Sequence, residues 1–268
     1  MNGLETIFLG IIQGLTEFLP ISSSGHLVLF QNLLGFEEPE LLLVSSLHLG
    51  TLLAVCLYFN SDIKYMGKEL YRLAGHPGEI GDGEKYRHAA LALWVMVGSL
   101  PSGAIWLVFR NDIVGLFGSV RAVGFLLIGT ALILSVTLFT RRGKGKRMDV
   151  GLMPALAVGT VQGLALLPGI SRSGITIVCC LLLGFERGLA GRFSLLLSIP
   201  AILGAVLLNF SITDLERIGI APLLMGFFSS ALVGLLALKL LMGVVKKGRM
   251  YYFAPYCLAL GSAIILLS

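Results

Sequence analysis

Residues 10–37 read GIIQGLTEFLPISSSGHLVLFQNLLGFE, and residues 159–186 repeat this stretch as GTVQGLALLPGISRSGITIVCCLLLGFE. The two stretches align without a gap, and thirteen of the 28 positions are identical. Several identities are polar residues or glycines, which a shared apolar composition does not explain. We therefore predict an internal repeat in a single domain of residues 1–268, with repeat one at about residues 1–140 and repeat two at about residues 151–268.

Each copy contains an apolar stretch that a loop of small residues interrupts. Residues 4–19 end at Pro20, and residues 151–167 end at Pro168 and Gly169. Each loop leads into an apolar run of only about ten residues, whereas a transmembrane helix needs about 20. We expect each pair of short helices to return to its own side of the membrane as a re-entrant hairpin.

Six other apolar stretches are long enough to cross a bilayer. They lie at about residues 41–59, 89–109, 119–139, 189–210, 220–242 and 252–268. Apolar and aromatic residues make up 56% of the chain and charged residues 13%, against about 25% charged in a soluble domain. This composition excludes a disordered chain, a nucleic-acid module and a disulfide scaffold. It predicts an all-α polytopic membrane protein with six transmembrane helices plus two re-entrant helical hairpins.

The number of spans between the two copies predicts their relative orientation. Three spans follow each copy, so the second copy enters from the opposite face, as in an inverted-topology repeat. Both loops then lie near the middle of the membrane. Non-helical backbone survives at that depth only where it is buried in protein or lines a water-filled cavity, so the two loops mark the candidate site.

The basic residues predict the sidedness of the chain. Fifteen of the twenty Lys and Arg residues fall in segments that this topology places on one side, at 60–88, 140–150, 184–192 and 243–251. The positive-inside rule makes that side cytoplasmic and places both termini and the site on the outer side. We interpret the cluster at 141–147 as a topology signal, and no nucleic acid is expected as a partner.

The two copies differ at the positions where chemistry is expected. Repeat one carries Glu17, Ser23 and His26, and repeat two carries Arg172. Ionisable side chains at membrane depth are costly and suggest function. Gln13 lies four residues before Glu17, so both side chains share one helix face. Arg172 opens a helix in a Gly/Ser-rich turn, where backbone N–H groups and the guanidinium fork favour a phosphate-like anion.

Structural alternatives accompany each of these residues. Glu17 could form a buried pair with Arg172 or cap the turn, Ser23 could cap the following helix, and His26 could bond a carbonyl group. His48 lies among apolar residues, and we interpret it as structural.

The segments QGLTEFLP at 13–20 and SSSGH at 22–26 resemble the (E/Q)xxxE region of undecaprenyl pyrophosphate phosphatases, the bacitracin-resistance family. The segment PGISRSGIT at 168–176 is similar to the second motif of that family, PGxSRSxxT. The similarity runs from about residue 3 to the C-terminus. Some members carry a second carboxylate where this chain has Gln13, which leaves Glu17 as the lone acid of the first motif.

The resemblance implies a metal-dependent hydrolase of the bacterial inner membrane that releases inorganic phosphate from undecaprenyl pyrophosphate. The product, undecaprenyl phosphate, is the recycled lipid carrier of cell-wall peptidoglycan synthesis, and bacitracin resistance follows from this activity. The outer side is then periplasmic. The implied metal is a divalent cation, Mg²⁺ or Ca²⁺, at Glu17 and Gln13. The implied catalytic residues are Glu17, Ser23, His26 and Arg172, and the implied substrate-binding residues are Ser22, Ser24, Ser171, Ser173, Gly174 and Thr176.

On this hypothesis, Arg172 and the backbone at 171–174 hold the pyrophosphate, and Ser23 attacks the terminal phosphorus. Either His26 or Glu17 removes the serine proton. His26 itself or a metal-activated water remains an alternative nucleophile.

A transporter or flippase of a lipid phosphate or small anion is the alternative function, because inverted repeats with broken helices are typical of transporters. A purely structural membrane subunit would explain neither the repeat nor the buried polar residues. The expected partners are the lipid substrate and membrane lipid. The sequence does not fix the oligomeric state, and a homodimer is compatible with it.

Overall fold

The computed structural model describes residues 3–35, 40–75, 86–140, 145–208, 215 and 218–267. Within these ranges the chain is helical and contains no β-strand. The helices are α1 Gly3–Phe18, α2 Ser23–Leu33, α3 Leu41–Tyr58, α4 Asn60–Gly75, α5 Arg87–Phe117, α6 Val120–Ser135, α7 Thr137–Thr140, α8 Leu152–Leu164, α9 Arg172–Leu182, α10 Arg187–Leu208, α11 Ile220–Lys246 and α12 Ala254–Leu267. A 3₁₀ turn at Met250–Phe253 precedes α12.

Six helical segments are long and apolar enough to span a membrane, which confirms the predicted number of long apolar helices. They are Leu41–Tyr58, Arg87–Phe117, Val120–Thr140, Arg187–Leu208, Ile220–Lys246 and Met250–Leu267. Large apolar side chains such as Leu107, Phe125 and Leu232 are exposed along them. Exposed apolar side chains over the length of a span are what a lipid environment requires, so the fold is that of a polytopic membrane protein.

The helices of the repeated stretches are much shorter than these spans. Helix α1 has 16 residues and α8 has 13, while α2 and α9 have 11 each. Even α1 is about 24 Å long at 1.5 Å per residue, which is less than the hydrocarbon core of a bilayer. The chain therefore breaks where Pro20 and Pro168-Gly169 predicted a break.

The second helix of each repeated stretch begins at an equivalent serine. The Oγ atom of Ser22 accepts a hydrogen bond from the N–H of Gly25 at 3.3 Å, and Ser171 Oγ accepts from Gly174 N–H at 3.1 Å. A serine in this position satisfies a backbone donor that the first helical turn leaves unpaired. These caps fix the first residue of each helix, which is Ser23 in α2 and Arg172 in α9.

Glycines allow the first helix of each stretch to pack closely on a long span. Helix α1 packs against α11, and α8 packs against α5. A Cβ atom at Gly14 would lie 2.8 Å from both the backbone nitrogen of Gly234 and the carbonyl oxygen of Ser230. At Gly98 a Cβ atom would lie 3.0 Å from the carbonyl oxygen of Ala155. Such close approach between helices in a membrane depends on residues without bulky side chains.

Residues 60–75, the first part of the polar segment 60–88, form a helix that the sequence did not indicate. Helix α4 follows α3 directly, and Glu69 in α4 accepts hydrogen bonds from the backbone nitrogens of His88 and Ala89 at 2.8 Å each. A carboxylate at the start of α5 satisfies free N–H groups and complements the helix dipole. Asp62 forms an ion pair with Arg192 of α10. Helix α4 therefore ties the ends of two spans together.

Candidate functional site

The two loops that interrupt the repeated stretches contact each other. The Oγ atom of Ser22 accepts a hydrogen bond from Gly169 N–H at 3.1 Å, and Ser173 Oγ donates to the carbonyl oxygen of Phe18 at 2.8 Å. Ser22 has a φ of +68°, the only non-glycine residue with positive φ in the part of the chain that the structure describes. Such a conformation costs about 1–3 kcal/mol and persists where surrounding contacts enforce it.

Thr130 of α6 anchors the second loop. Its Oγ1 atom donates to the carbonyl oxygen of Gly169 at 2.7 Å and accepts from Ser171 N–H at 3.0 Å. The side chain is buried, so these hydrogen bonds satisfy two polar groups that water does not reach. Thr130 was not identified from the sequence, because it lies in an apolar span outside both motifs.

The carboxylate of Glu17 is the centre of the site, at the C-terminal end of α1. Its Oε1 atom pairs with Arg172 Nη2. Its Oε2 atom accepts hydrogen bonds from Ser23 Oγ at 2.6 Å and from Gln13 Nε2 at 3.1 Å. Glu17 is 7% exposed. The structure therefore brings together four of the predicted residues, and it contains the Glu17–Arg172 pair that the sequence left as an alternative, in a partly buried form.

Two buried polar atoms beside Glu17 have no hydrogen-bond partner among the described residues. They are Arg172 Nη1 and Gln13 Oε1. An unsatisfied buried donor or acceptor costs about 1–3 kcal/mol, so such atoms call for an explanation. Arg172 Nη1 could donate a hydrogen bond to an anionic oxygen, and Gln13 Oε1 could accept a hydrogen bond or coordinate a cation.

His48 of α3 joins this cluster. Its Nδ1 atom lies 2.9 Å from Gln13 Nε2 and 3.5 Å from Glu17 Oε2. The interpretation of His48 as a structural residue did not anticipate this position. The available signal was the presence of an ionisable side chain within a transmembrane span.

His26 is held by two other groups. Its Nδ1 atom lies 2.7 Å from the carbonyl oxygen of Ser22, and its Nε2 atom lies 2.7 Å from the hydroxyl oxygen of Tyr256 in α12. Both ring nitrogens are thus engaged away from the Glu17 carboxylate. Tyr256 was not identified from the sequence, because no motif marks the final span.

The remaining predicted residues support the two loops. The Oγ atoms of Ser22 and Ser24 lie 3.2 Å apart, and those of Ser171 and Ser173 lie 3.3 Å apart. Thr176 Oγ1 donates to the carbonyl oxygen of Arg172 at 2.7 Å and lies 2.6 Å from Ser194 Oγ. Ser22, Ser171, Ser173 and Thr176 are buried, whereas Ser23 and Ser24 are partly accessible. Their substrate-binding roles stay predictions.

The oxygen atoms at the centre of the site fit a divalent cation in part. No group of three or more His, Cys, Asp or Glu side chains is placed to hold a metal within the described ranges. Mg²⁺ does not need such a cage, because it is commonly bound by one or two carboxylates together with substrate phosphates. The Glu17 carboxylate and the unpartnered Gln13 Oε1 fit that arrangement.

The chain is similar to a large set of known proteins over nearly its full length. Residues 6–263 match the family described as "Bacitracin resistance protein BacA". The relatives include the undecaprenyl-diphosphatase of Desulfatibacillum aliphaticivorans, 44% identical, with 99% of this chain and 98% of the relative covered. The undecaprenyl-diphosphatase of Halothermothrix orenii is 40% identical, with 100% and 99% covered. That of Geobacter sulfurreducens is also 40% identical, with 99% and 98% covered.

Proposed function

The chain belongs to the bacitracin resistance protein BacA family, and we propose that it is an undecaprenyl-diphosphatase that hydrolyses the membrane lipid undecaprenyl diphosphate to undecaprenyl phosphate and inorganic phosphate. The observation that carries this proposal is the 2.6 Å hydrogen bond from Ser23 Oγ to Glu17 Oε2. The same carboxylate pairs with Arg172 from the other loop. A nucleophile, a base and an anion-binding group thus occupy one partly buried site.

We propose that α1–α2 and α8–α9 are re-entrant hairpins related by an inverted repeat. The short lengths of these four helices support the re-entrant hairpins. The packing of α1 on α11 and of α8 on α5 supports the inverted repeat, because each hairpin packs on a span of the other repeat. The loops then meet inside the membrane, where a lipid can bring its headgroup laterally.

Arg172 is the group that binds the diphosphate. Its Nη1 atom is a buried donor without a partner among the described residues, and phosphate oxygens accept such donors strongly. The N-terminal turn of α9 adds backbone N–H groups and the positive end of the helix dipole. The apolar chain of the lipid lies against the exposed apolar surface of the spans.

Ser23 is the nucleophile and Glu17 is its base. A bond forms between Ser23 Oγ and the terminal phosphorus, the bond from this phosphorus to the bridging oxygen breaks, and undecaprenyl phosphate leaves. The serine proton passes to Glu17 Oε2. Water then displaces the serine oxygen at phosphorus, and Glu17 returns the proton to Ser23 as inorganic phosphate departs. Glu17 serves this role better than His26, whose two ring nitrogens contact other groups.

A divalent cation, Mg²⁺ or Ca²⁺, would be held by the Glu17 carboxylate and Gln13 Oε1. It would neutralise charge on the phosphoryl oxygens when bound. The protein residues still position the nucleophile and the diphosphate.

A phosphate-release assay tests the proposed function. The purified full chain is incubated with undecaprenyl diphosphate and Mg²⁺, with and without chelator, beside the isosteric variant Glu17→Gln. The proposal is supported if the wild type releases phosphate and if both the chelator and the Glu17→Gln substitution abolish this release. Absence of release together with uptake of a lipid phosphate into vesicles would support the transporter instead.

The proposed location is the bacterial inner membrane, with both termini and the site open to the periplasm. Cysteine labelling tests it: Ser24→Cys is made in a variant that lacks the four native cysteines and is treated with an impermeant maleimide in intact cells. Labelling from outside supports this orientation. If the cysteine at position 24 is protected in intact cells but labelled in inverted membranes, the site opens to the cytoplasm instead.

A further inference from the structure

His26 and Tyr256 form a pair of aromatic side chains with defined hydrogen-bond roles. The two rings are stacked, with 6° between their planes and 5.8 Å between their centroids. A carbonyl oxygen can only accept, so the His26 nitrogen that faces the Ser22 carbonyl, Nδ1, carries a hydrogen. In the neutral ring, Nε2 is therefore the acceptor, and the Tyr256 hydroxyl donates to it at 2.7 Å.

We propose that Tyr256 is the positioning residue of His26 and that His26 exchanges protons only at the nitrogen that this tyrosine covers. The proposal rests on the proposed function, because it assigns a partner to an imidazole of the same site. His26 is 3% exposed, whereas Tyr256 is 46% exposed, so the buried Nε2 atom of the ring contacts a residue that is itself accessible.

A hydroxyl group suits this position because it can either donate or accept a hydrogen bond. With a neutral ring, the Tyr256 O–H donates to Nε2. When Nε2 takes up one proton, its N–H donates to the Tyr256 oxygen, and the hydroxyl hydrogen rotates toward another acceptor. No bond between heavy atoms changes, and His26 keeps a partner in both charge states.

The location of the pair connects it to the reaction. His26 follows Ser23 by about one turn of α2. Ser23 already has Glu17 as its base, so His26 is left to supply a proton to the phosphoryl oxygens from Nε2, by way of the Tyr256 hydroxyl. A buried ring performs that task only if its tautomer and plane are fixed, and the Ser22 carbonyl and Tyr256 together fix both.

A double-mutant cycle tests the coupling. Tyr256→Phe retains the ring and the stacking surface but removes the hydroxyl, and we expect kcat to fall by about tenfold or more with little change in KM. Adding Tyr256→Phe to His26→Gln should cause no further loss, because the tyrosine acts through the histidine. Tyr71→Phe removes a highly exposed hydroxyl from α4 and should leave kcat unchanged. Additive losses in the double variant would overturn the proposal.

Nitrogen NMR of the histidine side chains provides a readout that does not depend on activity. The chain has four histidines, so ¹⁵N-histidine labelling with His26→Gln as the assignment variant isolates the His26 signals. We expect the wild-type ring to carry its hydrogen on Nδ1, and we expect Tyr256→Phe to shift Nε2 toward the position of an unbonded nitrogen. An unchanged Nε2 signal would contradict the pairing. An inactive wild type with this shift intact would contradict the proposed function instead.

Discussion

Glu17 and Arg172 are 155 positions apart in the chain and form a partly buried ion pair. The carboxylate ends α1, and the guanidinium begins α9, so the pair joins the two repeats at the breaks in their helices. Burying two charges is costly unless each is well paired. The structure keeps one guanidinium nitrogen, Arg172 Nη1, without a partner among the described residues, which favours a ligand-binding role over a purely structural one.

The planar fork of Arg172 is predicted to be essential. Arg172→Lys keeps the positive charge but loses the second donor edge, so we expect kcat/KM for phosphate release to fall by about 100-fold. Arg121→Lys, at an exposed position of α6, provides the matched control and should retain wild-type activity. Near-normal turnover of Arg172→Lys would contradict the role of the guanidinium fork in binding the diphosphate.

Gln13 is predicted to limit the affinity for the divalent cation. Gln13→Glu adds a second carboxylate beside Glu17, and we expect the Mg²⁺ concentration for half-maximal binding to fall by about tenfold, because affinity rises with the charge of the ligands. Titration calorimetry measures this without turnover. Gln162→Glu changes the equivalent amide, which donates to Ser102 at 3.1 Å, and should leave the affinity unchanged. Equal affinities of Gln13→Glu and the wild type would exclude Gln13 from the metal site.

Thr130 is predicted to stabilise the second loop. Thr130→Val retains the shape but leaves the Gly169 carbonyl and the Ser171 N–H without their partner, so the free energy of unfolding should fall by about 2 kcal/mol. Equilibrium unfolding in mixed micelles measures the change. Thr160→Val removes only an exposed bond to a carbonyl in its own helix and should change stability by less than about 0.5 kcal/mol. Equal effects of the two substitutions would contradict the anchor.

The contact between α1 and α11 is predicted to tolerate no side chain at Gly14. A Cβ atom there would lie 2.8 Å from backbone atoms of two residues, and overpacking of this kind costs about 1–3 kcal/mol. Gly103→Ala in α5 meets no atom within 4 Å and is the matched control. Thermal unfolding in detergent compares the two, and a Gly14→Ala variant as stable as the control would argue against this packing.

The features that the sequence predicted well are those set by local composition. The six long helices follow from the length of the apolar runs, and the breaks follow from Pro20 and Pro168, since a proline disrupts a helix. The meeting of Glu17 and Arg172 was predictable because the repeat placed both beside equivalent loops.

The features that the sequence did not reveal depend on contacts between distant segments. His48, Thr130 and Tyr256 lie on three spans without a motif, and only helix packing brings them to the candidate site. Helix α4 was not predicted, because its many polar residues are also typical of a segment that only connects two spans. Its position becomes evident only from the contacts of Glu69 and Asp62 with other helices.

The most direct test of Ser23 as the nucleophile compares two adjacent serines in the same turn. Ser23 Oγ donates to Glu17, whereas Ser24 Oγ lies beside Ser22, and both side chains are partly accessible. The measurement is the rate of phosphate release from undecaprenyl diphosphate by Ser23→Ala and Ser24→Ala. We expect Ser23→Ala to lose activity by at least about 1,000-fold and Ser24→Ala to stay within about tenfold of the wild type. Substantial activity of Ser23→Ala would contradict Ser23 as the nucleophile.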